Sequence, residues 1–207
     1  MNRRHLPWAA TRRWLWTSIA RLRLQRAGAE VGPGLRVDGP LRLHVEPGAK
    51  IHIGANCRIN SGYSNNPVGG GQRTSFWVMD GGTLILGDRV GISNTTLVAS
   101  ISVVIDCDAM IGGGCSIYDT DFHSVRSEER LRRPDLGIRR QPVHIGERAF
   151  IGGHCIILAG VTVGRESVLG AGSVAPRSVP DAEVWAGNPA TKRRDLRAKG
   201  TQMDKLT

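Results

Sequence analysis

From Ile145 to Ala175 the chain repeats every six residues: IGERAF, IGGHCI, ILAGVT, VGRESV, LGAGSV, A. An aliphatic side chain opens each unit: Ile145, Ile151, Ile157, Val163, Leu169. Glycine follows it in four of the five (Gly146, Gly152, Gly164, Gly170), and the fifth place is small or β-branched (Ala149, Cys155, Val161, Ser167, Ser173). Alternate residues of a strand point to opposite faces, so the period describes one short strand plus one corner. Three such sides close one coil of a solenoid. The aliphatic residue fills the interior and the small residue fits the corner. Glycine is expected to give the turn its backbone freedom.

Upstream the pattern is ragged. Val31, Val37 and Leu43 keep the period, and Ile53-Gly54 and Ile59 resume it in a shifted phase. Residues 61–75 (SGYSNNPVGGGQRTS) are polar, rich in glycine and without repeat. They read as a protruding loop near an acceptor site. Their GGG lacks the lysine and the strand-to-helix setting of a phosphate cradle. Leu86-Gly87, Ile92 and Val98 restart the sixes, and Ile105, Ile111 and Ile117 continue them after a slip of one residue. The next place holds His123. The repeat then stops over a charged stretch, residues 124–142, and resumes at Val143.

The first 26 residues predict a helix starting near Pro7, a residue suited to a first helical turn. On a helical wheel Trp8, Leu15, Ile19 and Leu22 share one face, with Arg12, Arg23 and Arg26 at its edges. Two readings stand. The helix caps the open end of the solenoid, where backbone would otherwise be unpaired, or it contacts a membrane surface. The organisation expected is a basic helical extension (1–28), a repeat domain (29–190) with an insertion (124–142), and a basic tail (191–207).

Composition sharpens this. The chain has 207 residues with 27 glycines and 5% aromatics, which suits a thin, turn-rich solenoid better than a globular core. The net charge of +10 sits at the ends: residues 1–26 hold seven arginines and no acid, and residues 192–207 carry +4. The body between is close to neutral, unlike a uniformly basic nucleic-acid binder, and no nucleic-acid partner is expected. Cys57, Cys115 and Cys155 fall at the small-residue place of their units. They read as core filler in a reducing compartment, the cytoplasm, with peripheral contact at the inner face of its membrane as the extension of the helix reading. No run is apolar enough to span a bilayer, and no secretory leader is evident.

The repeat, the insertion just after a histidine, and the closing GAGSV…VP…VWAGNPA resemble the left-handed β-helix hexapeptide acyltransferases, especially the maltose, galactoside and colanic acid O-acetyltransferases. The resemblance covers roughly residues 85–194 and implies an all-β, left-handed parallel β-helix. It implies a homotrimer with sites between subunits and acetyl-coenzyme A as co-substrate. The acceptor implied is a hydroxyl of a sugar or polysaccharide precursor. A thioester is already activated, so the chief chemical need is a base to take the acceptor proton, and histidine titrates near neutrality. His123 stands at the family's place for that base, one residue further from the preceding aliphatic position than is usual there. Asp119 and Asp121 are the candidate orienting carboxylates, with corner-capping as the alternative for both. Asn94 matches an asparagine that contacts the acceptor hydroxyl, and Trp185 either covers the acceptor end of the groove or packs on the last coil. Backbone at Gly153, Ala159, Gly160 and Ala171 corresponds to the path of the pantetheine arm. Arg177, with Lys192, Arg193 and Arg194 of an altered tail motif, corresponds to the phosphate end.

Other classes remain in view. A β-helical carbonic anhydrase needs two histidines five residues apart among its metal ligands, and the positions five after His123, His144 and His154 are Glu128, Ala149 and Ala159, so no metal is expected. The acceptor could be an amine on a sugar nucleotide. A non-catalytic solenoid would keep the repeat and would not need His123.

Overall fold

The computed structural model describes residues 7–197, with side chains from residue 11. Trp8's side chain and the tail beyond Arg197 therefore lie outside the described residues. The chain winds as a three-sided parallel β-helix, consistent with a left-handed coil, and each side is a sheet. Face A runs from Glu30–Val31 through Lys50–Ile53, Thr83–Leu86, Ser102–Ile105 and Val143–Ile145 to Thr162–Val163. Face B begins at Arg36–Asp38 and ends in an antiparallel hairpin of Glu183–Ala186 with Thr191–Asp195. Face C is built of Arg42–Val45, Ser75–Val78, Thr96–Ala99, Ser116–Tyr118, Ile156–Ile157 and Val174–Ala175. The early, ragged coils follow the same rotation as the late ones.

The unit-opening residues Ile145, Ile151, Ile157, Val163 and Leu169 are fully buried. The three corner cysteines are buried free thiols, which donate to the carbonyls of Gly87, Gly152 and Gly170. The glycine expectation needs correcting. The left-handed residue of each late unit is at the fourth place: Arg148, His154, Gly160, Glu166 and Gly172, with φ between 56 and 82°. Second-place glycine serves close approach instead. A Cβ on Gly112 would lie 2.6 Å from the Gly153 nitrogen of the next coil, and one on Gly146 2.7 Å from the Arg165 nitrogen. The coils stack too tightly there for any side chain.

Helix α1 (Pro7–Arg26) closes the first coil. Ala20 and Leu24 are buried against it. The exposed backbone of the edge strands is met by α1 side chains: Val37 N–H donates to Thr17 Oγ1 at 2.9 Å, Arg21 donates to the carbonyls of Val31 and Gly32, and Arg23 donates to that of Leu41. The capping face differs from the apolar face read from the wheel. Leu15, Ile19 and Leu22 point away from the coils and are exposed.

Both long insertions leave at corners. Residues 61–74 leave between faces B and C, and 119–142 between C and A. Face C is therefore flanked by a loop on each edge. The first loop does not protrude as expected. It folds onto its corner, with Val68 so close to Gly113 and Gly153 that a Cβ on Gly153 would meet Val68 Cγ1 at 2.9 Å.

Candidate active site

The base of the second insertion is zipped shut. Asp121 N–H donates to the Arg139 carbonyl at 3.0 Å, Gln141 N–H donates to the Asp119 carbonyl at 2.9 Å, and Thr120 bridges Arg140. From this base a tight turn projects Phe122 and His123. Phe122 adopts φ +61°, an uncommon conformation for an aromatic residue, and its ring lies 5.4 Å from that of Tyr118. Burial, then the nearby Asp121 charge, raises the Tyr118 phenol above its usual value and keeps it neutral.

His123 Nδ1 lies 2.8 Å from Asp135 Oδ2. The histidine side chain is 70% exposed and the aspartate's only 12%. Asp135 Oδ1 is buried with no hydrogen-bond partner among the described residues, so the histidine is this carboxylate's one partner. A carboxylate only accepts; Nδ1 therefore carries the proton that it donates to Asp135, and in the neutral ring Nε2 is the nitrogen left to accept one. This is the arrangement of an oriented general base.

The carboxylate beside the imidazole is thus neither of the two expected. Asp119 is fully buried, and its oxygens accept the backbone N–H groups of Ser100, Ile101 and Ser102, each at 2.6 Å. It binds one coil to the corner of the coil before. Asp121 faces Arg139 at 3.8 Å across the loop base. Asp135 lies twelve residues beyond His123, inside a stretch with no period, and no sequence signal singled it out.

Other expected site residues are differently engaged. Asn94 is buried and its carboxamide is occupied: Oδ1 accepts from Gly62 N–H at 2.7 Å, and Nδ2 donates to the carbonyls of Asn66 and Val68. It clamps the first loop instead of presenting itself to an acceptor. Trp185 packs partly buried on the last coil, its indole N–H donating to Glu183 at 2.7 Å. Lys192 donates to the same Glu183 at 2.6 Å. That bond raises the lysine's pKa and lowers the glutamate's, so Lys192 neutralises a nearly buried acid and is not a free phosphate ligand. Arg177 and Arg194 are exposed, and Arg193 reaches the Ala186 carbonyl.

The backbone positions expected along the pantetheine arm fall on two corners. Gly153 and Ala171 are at the B–C corner, Gly153 beneath Val68; Ala159 and Gly160 are at the C–A corner. There the Ala159 carbonyl accepts from Arg139 and Gly160 N–H donates to Gln141. Six residues separate Gly153 from Ala159, a span of up to about 20 Å in extended chain. The two sets thus lie on opposite edges of face C.

Across face C runs an aligned row not anticipated from the sequence: His44, Trp77, Val98 and Tyr118 are successive register partners. His44 and Trp77 have ring centroids 4.2 Å apart. Trp77 is half exposed and lines a groove of about 490 Å³ with Arg42, His44, Arg73 and Thr96. Trp77 stands two strand spacings, roughly 10 Å, from Tyr118, and Tyr118 adjoins the turn that bears His123. Among the remaining histidines, His144 pairs with Asp106 at 2.8 Å on face A, His52 with Glu30, and His154 is an exposed corner residue. Among the described residues no cluster of three metal-ligating side chains occurs.

A three-sided hexapeptide coil carrying an oriented histidine on a corner insertion defines the class. The family profile "Hexapeptide repeat of succinyl-transferase" matches residues 142–174. A galactoside O-acetyltransferase of Lactococcus lactis is 32% identical over 144 residues, 70% of this chain and 62% of that protein. Among solved structures, a galactoside acetyltransferase in complex with coenzyme A is 26% identical with a TM-score of 0.57, covering 86% of this chain and 71% of that one. An N-acyltransferase from Bacillus cereus in complex with dTDP and 3-hydroxybutyryl-CoA shares the fold at 18% identity and a TM-score of 0.62, covering 84% and 87%. The chain is thus similar to hexapeptide-repeat, left-handed β-helix acyltransferases, galactoside O-acetyltransferases among them. It spans 61–62% of the length of the first curated relatives it matches.

Proposed function

We propose that the protein is a coenzyme A-dependent O-acetyltransferase that acetylates a hydroxyl of a sugar or polysaccharide precursor, with His123 as general base. The observation that carries this reading is the His123–Asp135 pair at the lip of the corner insertion, in a chain similar to these acyltransferases. His123 Nε2 takes the proton of the acceptor hydroxyl as its oxygen attacks the thioester carbonyl. The tetrahedral intermediate then expels coenzyme A as the thiolate, which recovers the proton from the imidazolium. Asp135 fixes the tautomer and stabilises the cation formed. The primary test is thiol release from acetyl-coenzyme A against a panel of sugars and amino sugars. Release that depends on a hydroxyl acceptor supports the reading, and release with amines alone replaces it by N-acetylation.

Two residues extend the reading. Asp135→Asn is expected to lower kcat about 10- to 100-fold with KM for acetyl-coenzyme A unchanged, because the amide can donate to Nδ1 and select the wrong tautomer. An unchanged kcat would remove Asp135 from the mechanism. The acceptor's rings are placed over Trp77, so Trp77→Ala is expected to raise the acceptor KM roughly five- to tenfold at constant kcat. Steady-state kinetics with the best acceptor of the panel check this. The chain is further proposed to act as a homotrimer. The split of the pantetheine-lining backbone between two corners supports this, since a second copy would bring its own corner to the groove. Sedimentation equilibrium of the full chain tests it, and a monomer that turns over at full rate would sink it.

A further inference from the structure

Helix α1 lies across the end of the first coil and uses one face to do so: Thr17, Ala20 and Leu24 turn inward. With 100° between successive residues, the face directed away from the solenoid carries Leu15, Ile19 and Leu22, which are 48, 37 and 49% exposed, and Trp14 beside them is 70% exposed. Closing the coil does not require these side chains. The polar work of the cap is done by Thr17, Arg21 and Arg23, through bonds to edge carbonyls and an edge N–H. Arg26 is exposed beside the apolar stripe, Arg12 is exposed at its border with one guanidinium N–H donated to Asn65 Oδ1 at 2.9 Å, and residues 1–26 contain no acid. The Asp38 carboxylate of the first coil is neutralised by Arg13 at 2.9 Å.

We propose that this outward face of α1 docks the protein, end of the solenoid first, on an anionic lipid bilayer. Among the described residues this face is exposed and lies on the helix that closes the first coil, so a flat surface can reach it without any movement of the coils. Leucine, isoleucine and tryptophan side chains enter the headgroup boundary while the arginines meet lipid phosphates. Charge argues against a second copy as the occupant: two such helices laid together would oppose arginine to arginine with no acid between them. Among the described residues no helix is long and apolar enough to cross a membrane, and docking in the plane of the interface requires none.

The test is flotation of the full-length chain with vesicles of phosphatidylcholine alone or mixed with phosphatidylglycerol. Wild type is expected to float with the mixed vesicles only, and to be released by raised salt. Leu15→Asp combined with Leu22→Asp is expected to abolish flotation while leaving the thermal unfolding midpoint within a few degrees of wild type, since both side chains are about half exposed and neither belongs to the buried core. A parallel Arg12→Ala, Arg26→Ala variant is expected to bind more weakly with the same midpoint. Absence of wild-type flotation overturns the proposal, as does equal flotation of the Leu15/Leu22 variant. Self-association that is abolished by the same two substitutions, without vesicle binding, would assign the face to a protein contact and also overturn it.

Discussion

His123→Ala lowers kcat/KM for acetyl transfer by about 10²–10⁴-fold, the range that a positioned general base supplies, with little change in the affinity for coenzyme A. The side chain is exposed and makes one hydrogen bond, to Asp135, so its removal leaves the coils intact and the loss is chemical. Thiol release from acetyl-coenzyme A, with and without acceptor, measures it. A hydroxide-driven background should rise with pH in the variant, because water or hydroxide must then take the acceptor proton. The combined His123→Ala, Asp135→Asn variant should be scarcely slower than His123→Ala alone, since the two residues act as one unit. Independent, multiplicative losses would mean that Asp135 acts on something other than the imidazole. Activity that survives in His123→Ala would clear the residue and redirect attention to His154 or His144.

Asp119→Ala produces the largest expected loss of stability, about 3–5 kcal/mol by urea unfolding. Three backbone N–H groups at the 100–102 corner would lose their acceptor at once, and that acceptor is a fully buried carboxylate. Asp119→Asn should recover part of this, because one oxygen can still accept while the amide group faces a donor. The effect separates structure from chemistry. The folded fraction of Asp119→Ala at low temperature should retain kcat, whereas Asp135→Asn should keep its stability and lose kcat. A stable Asp119→Ala protein with no turnover would return Asp119 to the catalytic group.

The contrast between these two aspartates shows what was legible in the sequence. The interior was: a strand that buries every sixth residue leaves a periodic record, and Ile145, Ile151 and Ile157 occupy the positions it implied. The place of His123 was visible because the period stops there. Its partner was not, because Asp135 sits in an aperiodic loop whose return path is set by the zipper of 119–121 with 139–141. Asp119 and Asp121 drew attention through sequence proximity, and proximity along a tight corner turns neighbouring side chains in different directions. Asn94 and Lys192 illustrate a second limit. Asn94 matches a functional motif position and Lys192 stands in for a charge that the tail motif lacks here, yet each is engaged by a local structure, the folded-down loop and the buried Glu183, that the motif does not encode. The helix shows a third. Both of its faces carry apolar residues, and the one that caps the coil is the smaller, with Ala20 and Leu24.

Left-handed backbone at the fourth place of each unit separates two kinds of freedom. The interior positions are fixed by stacking and tolerate little, but the corner residue is arginine, histidine or glutamate in three of the five late units and glycine in two. A coil of this kind is therefore a rack with three open rails. Chain can be let out at a rail and taken back while the strands on either side keep their register, as at 61–74 and 119–142. Because those two excursions flank the same face, a new acceptor specificity can be built by exchanging loops at fixed attachment points. Removing a whole coil, by contrast, would shift every rail together and keep both loops in phase only if all three sides were removed at once.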